Sequence, residues 1–188
     1  MAEFHPLRSN DQNPTTKAYA QLNKDAERRA KECRSAQMPS LTHLGLRDYD
    51  TVYEPSDDTY LLIDAIGMDI DIMEGKSDGD VGTVEQSNIR RTLEIGCGTG
   101  VPTVYLAGRC STSETNMSPV HFVTDINPDA IRIAKSTAER NGIPANAFKA
   151  FQCDLASDIL EELENKVDIL IFNPPYVPTP DEEVGSNG

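Results

Sequence analysis

From residue 89 onward, short apolar runs of the sequence alternate with amphipathic stretches. This alternation is typical of parallel β-α-β units, in which a helix connects each strand to the next. Because such crossovers are right-handed, successive units build one doubly wound parallel sheet. The sequence therefore predicts an α/β domain, with strands at about 92–95, 121–124, 148–153 and 167–172, and helices at about 102–109, 128–141 and 159–163.

The helix after the second predicted strand has recognisable signals at both ends. Asn127 is suited to cap its N-terminus, and Pro128 fits the first helical position, where a missing N–H costs nothing. The pair Asn141-Gly142 is a common C-terminal signal. Both boundaries of this helix are therefore predicted closely.

The fourth predicted strand is apolar at every position from Ile169 to Phe172. Such a run predicts a strand buried on both faces of a parallel sheet. The tail from Val177 to Gly188 is polar, so the fourth strand is expected at an uncovered edge. We therefore expect that the chain lacks the C-terminal strands of its fold, or that a partner completes the sheet.

The N-terminal part of the chain predicts a polar extension over residues 1–50, partly helical at Thr15 to Cys33. One domain is expected over residues 51–188. Within it, residues 67–88 are acidic and glycine-rich without a sustained period, which predicts a surface insertion.

A helix is predicted to open at Ser56 inside this domain. Ser56 is a suitable N-cap, and the carboxylates of Asp57 and Asp58 favour the positive end of a helix dipole. Apolar residues from Tyr60 to Ile66 continue the helix.

Composition limits the partners of the chain. Acidic residues outnumber basic ones 31 to 17, for a formal charge of −14, which disfavours a protein that must neutralise many phosphates of nucleic acid. No apolar run approaches the length of a membrane span, and the N-terminus lacks a signal-peptide core. The four cysteines lie far apart, so they predict reduced thiols in a soluble intracellular protein and no metal site.

A glycine-rich turn directly follows the first predicted strand, with glycines at Gly96, Gly98 and Gly100. Glycines permit positive φ and let a ligand approach the backbone, although a tight strand-to-helix turn needs them for structural reasons as well. Val101 stands where a dinucleotide-binding turn has its third glycine, and Glu94 precedes the turn. A carboxylate there suits a cationic methionine group better than a pyrophosphate, so a positively charged cofactor is expected.

Two further acids follow the second and third predicted strands. Asp125 is placed to accept hydrogen bonds from two ribose hydroxyls, with helix capping as the alternative. Asp154 is placed to accept from an adenine amino group while Leu155 contacts the ring, with an ordinary loop aspartate as the alternative. Together with Glu94, these acids project from the carboxyl ends of consecutive strands, where open α/β sheets bind ligands.

The fourth strand ends in Asn173-Pro174-Pro175-Tyr176, the most specific motif of the chain. The Asn173 side-chain oxygen and the Pro174 carbonyl can both accept hydrogens from one target NH2. Two fixed acceptors would hold a weakly nucleophilic amide or aromatic amine in line with a sulfonium methyl group, and Tyr176 can stack on a planar target. The alternative is a proline-rich turn that leaves the strand.

From Tyr53 to Gly188 the chain resembles the HemK-like glutamine methyltransferases, in particular the eukaryotic and archaeal branch that acts on the class 1 translation release factor. The matching segments are Tyr53-Glu54-Pro55 with Asp58-Thr59, Glu94 to Gly100, Asp125 to Pro128, Asp154, Asn173 to Tyr176, and Val184-Gly185. The Tyr-Glu-Pro segment separates this branch from adenine methyltransferases that share only the last motif. The resemblance implies the Rossmann-like fold of class I methyltransferases with S-adenosyl-L-methionine as the cofactor.

The resemblance also implies roles for particular residues. Contacts with the cofactor are implied for Thr59, Glu94, Gly96, Asp125, Asp154 and Leu155, and Asn173 with Pro174 would hold the glutamine amide of a Gly-Gly-Gln loop. A small zinc-binding activator protein is the implied partner in a heterodimer. The expected location is the cytoplasm, with the nucleus as a second compartment.

Three other functions compete with glutamine methylation. The same final motif would serve methylation of the adenine N6 amino group in nucleic acid. A chain without its last strands would act as a noncatalytic subunit that binds cofactor or a partner. A dinucleotide-dependent oxidoreductase is the most distant alternative.

Overall fold

A computed structural model of the chain describes residues 38–73, 89–110 and 119–174, together with Lys17, Gln21 and Lys24. The last three are helical, and the rest of the helix predicted at 15–33 lies outside the described residues. So do Pro175, Tyr176 and the Val184-Gly185 pair. The elements are α1 (Asp57–Met73), β1 (Arg91–Ile95), α2 (Val101–Cys110), β2 (Val120–Asp125), α3 (Pro128–Arg140), β3 (Phe148–Gln152), α4 (Leu160–Leu163) and β4 (Ile169–Phe172).

The four described strands form one parallel sheet in the order β3-β2-β1-β4. The chain starts in the middle of the sheet at β1, adds β2 and β3 to one side, and returns to the other side with β4. This is the doubly wound arrangement predicted from the sequence, and every predicted strand and helix from β1 to β4 is present. The strand order changes direction next to β1, which is where such sheets bind ligands.

The predicted signals of α3 are confirmed. The Asn127 side chain accepts a hydrogen bond from the Asp129 backbone N–H, and Pro128 is the first helical residue. The helix ends at Arg140, followed by Asn141 and by Gly142, whose φ is +76°. Asn127 and Pro128 therefore fix the N-terminal end of α3, which faces the predicted cofactor turn.

Three helices cover one face of the sheet. On α1, Ile63, Ile66 and Ile70 pack with α2 and with Ile171 of β4. A neighbouring cluster joins α2 and α3 to the centre of the sheet; it contains Cys97, Val104, Val123, Ile131, Ala134, Ala138 and Phe148. Burial of these side chains holds the helices over β1 and β2.

The opposite face carries the short helix α4. Ile159 and Leu163 pack there against Leu93 and Phe122. Leu170 pairs in register with Leu93, but its side chain is 60% exposed, and Phe172 is 49% exposed. The prediction that β4 is buried on both faces is therefore wrong: α1 covers one face, and α4 does not extend over the other among the described residues.

The predicted insertion at 67–88 also needs correction at its start. Helix α1 continues through Gly67 to Met73. Gly67 and the nearby acidic residues suggested the end of a helix, but Ile66 and Ile70 are buried on the core side, and this packing outweighs local propensity. Residues 74–88 lie outside the described residues.

Residues 38–52, most of them assigned by sequence to the polar extension, lie along α3. Ser40 and Asn141 exchange two hydrogen bonds, since Ser40 N donates to Asn141 Oδ1 and Asn141 Nδ2 donates to Ser40 O. Asp48 forms an ion pair with Arg132 at 3.1 Å. The Asn127 Nδ2 group donates to the Thr51 carbonyl at 2.7 Å. These contacts bring the segment that precedes α1 up to the carboxyl edge of the sheet.

Within the described ranges, no helix is both long enough and apolar enough to cross a membrane.

Candidate functional site

The segments that follow β1 and β4 leave the sheet side by side. Ile95 and Phe172 pair at the carboxyl ends of these parallel strands, so Gly96 and Asn173 are the next residues on either side. On the other side of β1, Ile95 pairs with Thr124, the penultimate residue of β2. The glycine turn, Asp125 and the start of the Asn-Pro-Pro-Tyr motif therefore meet at one edge of the sheet.

The glycine turn is fixed to the end of β2. The backbone N–H groups of Gly96 and Cys97 both donate to the Thr124 carbonyl, at 2.9 and 3.0 Å. Gly96 has a φ of +70°, and among the described residues no atom beyond its two chain neighbours lies within 4 Å of the position that a Cβ would take there. The backbone at Gly96 is therefore open on the side where a side chain would stand, as close approach of a ligand requires.

Gly100 is required for a different reason. Its φ is +75°, and a Cβ at this position would lie 2.9 Å from the Ala134 Cβ on α3. This glycine lets α2 begin directly against α3. The structure thus gives Gly100 a packing role, while its predicted contact with a cofactor stays a prediction.

Glu94 is buried at the centre of the sheet, with 4% of its surface exposed. Its Oε2 atom accepts from both the backbone N–H and the hydroxyl of Thr103, which lies in the first turn of α2. Burial raises the pKa of Glu94 to about 8, and the nearby Asp125 carboxylate acts in the same direction, whereas the Thr103 hydrogen bonds oppose the rise. Glu94 therefore ties the start of α2 to β1 directly below the glycine turn.

Asp125 joins the two turns at the end of β2. One carboxylate oxygen accepts from the Gly98 N–H at 3.0 Å, and the other accepts from the Asn127 N–H at 2.9 Å. Helix α3 is capped by Asn127, so Asp125 does not serve the alternative capping role. Each carboxylate oxygen can accept a second hydrogen bond, which leaves acceptor capacity suited to ribose hydroxyls.

Asp154 and Leu155 follow β3 at the same edge. Asp125 pairs with Gln152 at the end of β3, and the Cys153 N–H donates to the Asp125 carbonyl at 3.1 Å. Leu155 has a φ of +51° and a side chain that is 58% exposed. A left-handed backbone at a leucine is a strained conformation that concentrates at functional sites. The turn thereby presents an exposed apolar side chain at the same edge of the sheet as Asp125.

Asn173 is held by a residue from the other end of the described domain. Its Nδ2 group donates to Asp58 Oδ2 at 2.9 Å, across 115 residues of sequence. Hydrogen bonds from the Asn173 amide, the Thr59 N–H and the Ser56 hydroxyl hold the pKa of the Asp58 carboxyl below its usual value, with the Asn173 bond as the largest cause. Pro174, next along the chain, is half-buried. The start of α1 and the end of β4 are therefore joined at the site.

Comparison with a family model identifies the kind of domain to which this edge of the sheet belongs. The methyltransferase small domain model matches residues 81–184, which is more than half of the chain. The chain belongs to this methyltransferase family. Membership confirms the predicted class I methyltransferase fold and S-adenosylmethionine as the cofactor.

Relatives of known description are consistent with this assignment. The chain is 36% identical to the methyltransferase HEMK2 of Mus musculus over 154 residues, which are 82% of this chain and 62% of the relative. It is 36% identical to methyltransferase HEMK2 of Homo sapiens over 78% of this chain and 58% of the relative. The eRF1 methyltransferase catalytic subunit mtq2 of Schizosaccharomyces pombe is 37% identical, over 79% of this chain and 60% of that protein. The chain thus spans about three fifths of the length of these relatives, and the resemblance to HemK-like methyltransferases is confirmed.

The Tyr53-Glu54-Pro55 segment of the methyltransferase domain lies beside the glycine turn. Val52 is buried, and its Cγ1 atom is 3.8 Å from the position that a Cβ on Gly98 would take. The Tyr53 hydroxyl is 2.6 Å from Ser56 Oγ, and Ser56 Oγ donates to Asp58 Oδ1 at 3.2 Å. A surface groove follows residues 49–56. This segment therefore lines a groove beside the glycine turn.

Ser56 fulfils only part of its predicted role. Its carbonyl accepts from the Tyr60 N–H, as an N-cap carbonyl does, but its hydroxyl is engaged with Tyr53 and Asp58. Thr59, predicted to contact the cofactor, is buried in the first turn of α1, and its N–H donates to Asp58 Oδ1 at 2.8 Å.

Two site residues of the methyltransferase domain escaped the sequence analysis. Thr103, which binds Glu94, follows a proline at the start of a predicted helix, where an N–H has no partner inside the helix. Asp58 was recognised only as a helix-dipole residue and as part of a family motif. Its contact with Asn173 arises from tertiary packing, so no local pattern reports it.

Proposed function

We propose that the chain carries the cofactor site and the amide-positioning site of an S-adenosylmethionine-dependent N-methyltransferase. The proposed substrate is the glutamine side-chain amide in the Gly-Gly-Gln loop of the class 1 translation release factor. The observation that carries this proposal is the pairing of Ile95 with Phe172, which places the glycine turn and Asn173 next to each other at the carboxyl edge.

The residues at this edge fit the cofactor. Gly96 has an open backbone, and Asp125 keeps acceptor capacity for ribose hydroxyls. The turn at Asp154 and Leu155 adds a carboxylate and an exposed apolar side chain for an adenine ring. When bound, S-adenosylmethionine supplies a methyl group on a positively charged sulfur.

Asn173 and Pro174 would allow the protein to methylate a poor nucleophile. An amide nitrogen is weakly nucleophilic because its lone pair is delocalised. The Asn173 side-chain oxygen and the Pro174 carbonyl would accept the two hydrogens of the target NH2 and fix its orientation. They would also stabilise the positive charge that develops on the nitrogen during transfer.

Relatives and charge favour a protein substrate over adenine. The fission yeast relative is named an eRF1 methyltransferase. The formal charge of −14 would repel the phosphates of DNA or RNA. Methylation of adenine N6 is therefore the second candidate, supported by the final motif alone.

The decisive experiment supplies methyl-labelled cofactor to the protein with three acceptors: the release factor, the same factor with the loop glutamine replaced by alanine, and adenine-containing DNA. We expect label in the first acceptor only. An Asn173→Ala variant should lose about 10²–10³-fold in transfer rate, as removal of one charge-stabilising group typically does, whereas Asn146→Ala, at an exposed loop position, should match wild type. Label confined to DNA would establish the adenine reaction instead.

The partner proposal is separate. We infer from the resemblance that a small zinc-binding activator protein joins this chain in a heterodimer in the cytoplasm, and the designation of the fission yeast relative as a catalytic subunit supports a search for it. Calorimetry with S-adenosylhomocysteine, with and without the activator, tests this. Tight binding without methyl transfer under either condition would favour the noncatalytic alternative.

A further inference from the structure

Asp58 accepts hydrogen bonds from three residues, although an interaction with the helix dipole requires none of them. Its Oδ2 atom accepts from Asn173 Nδ2 at 2.9 Å. Its Oδ1 atom accepts from the Thr59 N–H at 2.8 Å and from the Ser56 hydroxyl at 3.2 Å. Donors on both oxygens fix the plane of the carboxylate at the start of α1.

The chemistry of this contact determines which way the Asn173 amide faces. An ionised carboxylate only accepts hydrogen bonds, so the NH2 end of Asn173 must face Asp58. The carbonyl Oδ1 is then the end that faces away from Asp58. Asp58 remains ionised at neutral pH, because the Asn173 hydrogen bond lowers its pKa.

We propose that Asp58 is the positioning residue of the methyl-transfer reaction: it orients the Asn173 amide so that a carbonyl oxygen, and not an NH2 group, meets the target nitrogen. This inference rests on the proposed function and adds a residue that would act through Asn173. The Tyr53-Ser56 pair, hydrogen-bonded to Asp58, connects the positioning residue to the wall of the groove.

The substitution Asp58→Asn tests the orientation. The oxygen of the new amide would stay with the Thr59 N–H and the Ser56 hydroxyl, which turns its NH2 towards Asn173. Asn173 would then flip to offer its oxygen, and would present a donor to the target NH2. We expect kcat to fall about 10²-fold, with KM for the release factor changing by less than about threefold, since the interaction acts at the reacting nitrogen.

Asp57→Asn is the matched control. Asp57 precedes Asp58 in the first turn of α1 and is exposed, so its replacement removes the same charge from the same helix end. We expect wild-type kcat for this variant. A loss in Asp57→Asn equal to that in Asp58→Asn would show a general effect of charge and overturn the proposal.

Exchanging the residue types at positions 58 and 173 provides a test for rescue of activity. Asn173→Asp alone would place two carboxylates at hydrogen-bond distance and should inactivate the enzyme at neutral pH through repulsion. Adding Asp58→Asn restores a donor facing an acceptor, keeps the Thr59 and Ser56 bonds, and returns an oxygen to the target side. We expect the double variant to be at least tenfold more active than Asn173→Asp, whereas a double variant no more active than that single variant would contradict the inference.

A spectroscopic measurement separates this inference from the proposed function. In the ¹⁵N-labelled protein, the side-chain NH2 signal of Asn173, identified by its loss in Asn173→Asp, should shift as Asp58 is protonated in acid. The acid-dependent shift should persist in Asp57→Asn and disappear in Asp58→Asn. An Asn173 signal unaffected by Asp58→Asn would overturn the pairing. If wild-type protein methylates no release factor, the proposed function fails, and this signal still decides whether Asp58 orients Asn173.

Discussion

Glu94 and Asp125 are neighbouring carboxylates whose surroundings give them different properties. Asp125 is partly exposed and accepts one backbone N–H on each oxygen. Glu94 is buried, and its Oε2 atom accepts two hydrogen bonds from Thr103, one from the backbone N–H and one from the hydroxyl. Burial outweighs these bonds and raises the pKa of Glu94 to about 8. A single residue thus makes the stability of the domain depend on pH in the neutral range.

The sign of that dependence follows from proton binding. Between pH 4.5 and about 8 the unfolded chain loses the Glu94 proton while the folded protein keeps it, so stability falls as pH rises. The buried His121, whose pKa is lowered to about 4 by burial, acts in the opposite direction up to its usual pKa of 6.5. The two effects oppose each other below pH 6.5, and Glu94 acts without His121 between pH 6.5 and 8.

We therefore predict that the free energy of unfolding of the cofactor-free protein decreases by roughly 2 kcal/mol from pH 6.5 to 8, at about 1.4 kcal/mol per pH unit. Glu94→Gln should remove this decrease, because an amide does not titrate. Glu161→Gln, at an exposed position of α4, should retain it. Urea unfolding at several pH values measures all three proteins, and an unchanged slope in Glu94→Gln would refute the assignment.

The site was predictable from sequence to the extent that its residues follow strands. Gly96, Asp125, Asp154 and Asn173 each directly follow a predicted strand, and parallel pairing brings strand ends together. The Asp58 contact with Asn173 was not predictable in the same way. It joins residues 115 positions apart through the packing of α1 on β4, which leaves no local periodicity.

For helices and strands as well, features with local causes were predicted from the sequence, and features caused by tertiary packing were not. Helix α3 was predicted closely because its cap, its proline and its C-terminal glycine are local signals. The end of α1 was predicted too early because Ile70 gains its burial from α2 and β4. The exposure of Leu170 on β4 was missed because an apolar run does not report which helices cover the strand.

Two glycines, one directly before α2 and one inside it, are predicted to have opposite effects on stability when replaced by alanine. Gly100→Ala should destabilise the domain by about 2–4 kcal/mol, since it adds a Cβ 2.9 Å from Ala134 and places alanine at a φ of +75°. Gly108→Ala lies inside α2, where no atom of the described part of the chain outside that helix comes within 4 Å of the new Cβ, and should stabilise the domain by roughly 0.5–1 kcal/mol. Denaturant unfolding compares the two directly. Equal effects of the two substitutions would show that the contact with α3 does not control the start of α2.

The sequence as a whole carries a large excess of negative charge. Acidic side chains exceed basic ones by 14, although the cofactor expected at the carboxyl edge is positively charged. A surplus of one sign attracts a cationic ligand over a distance set by ionic strength. The excess negative charges also repel one another, more strongly in the folded state than in the expanded chain. Added salt should therefore increase the stability of the fold and decrease the affinity for a cationic ligand.

This opposition yields a prediction for the intact protein. Raising ionic strength from about 0.01 M to about 0.15 M shortens the screening length from about 30 Å to about 8 Å. Relief of self-repulsion on the order of 1 kcal/mol should then raise Tm by about 2–4 °C, while the affinity for S-adenosylmethionine falls. The double variant Glu161→Gln/Glu164→Gln, which reduces the exposed negative charge near α4, should show a smaller rise in Tm. A Tm that falls with added salt in the wild type would mean that attractive ion pairs, such as Asp48 with Arg132, outweigh the net charge in holding the fold together.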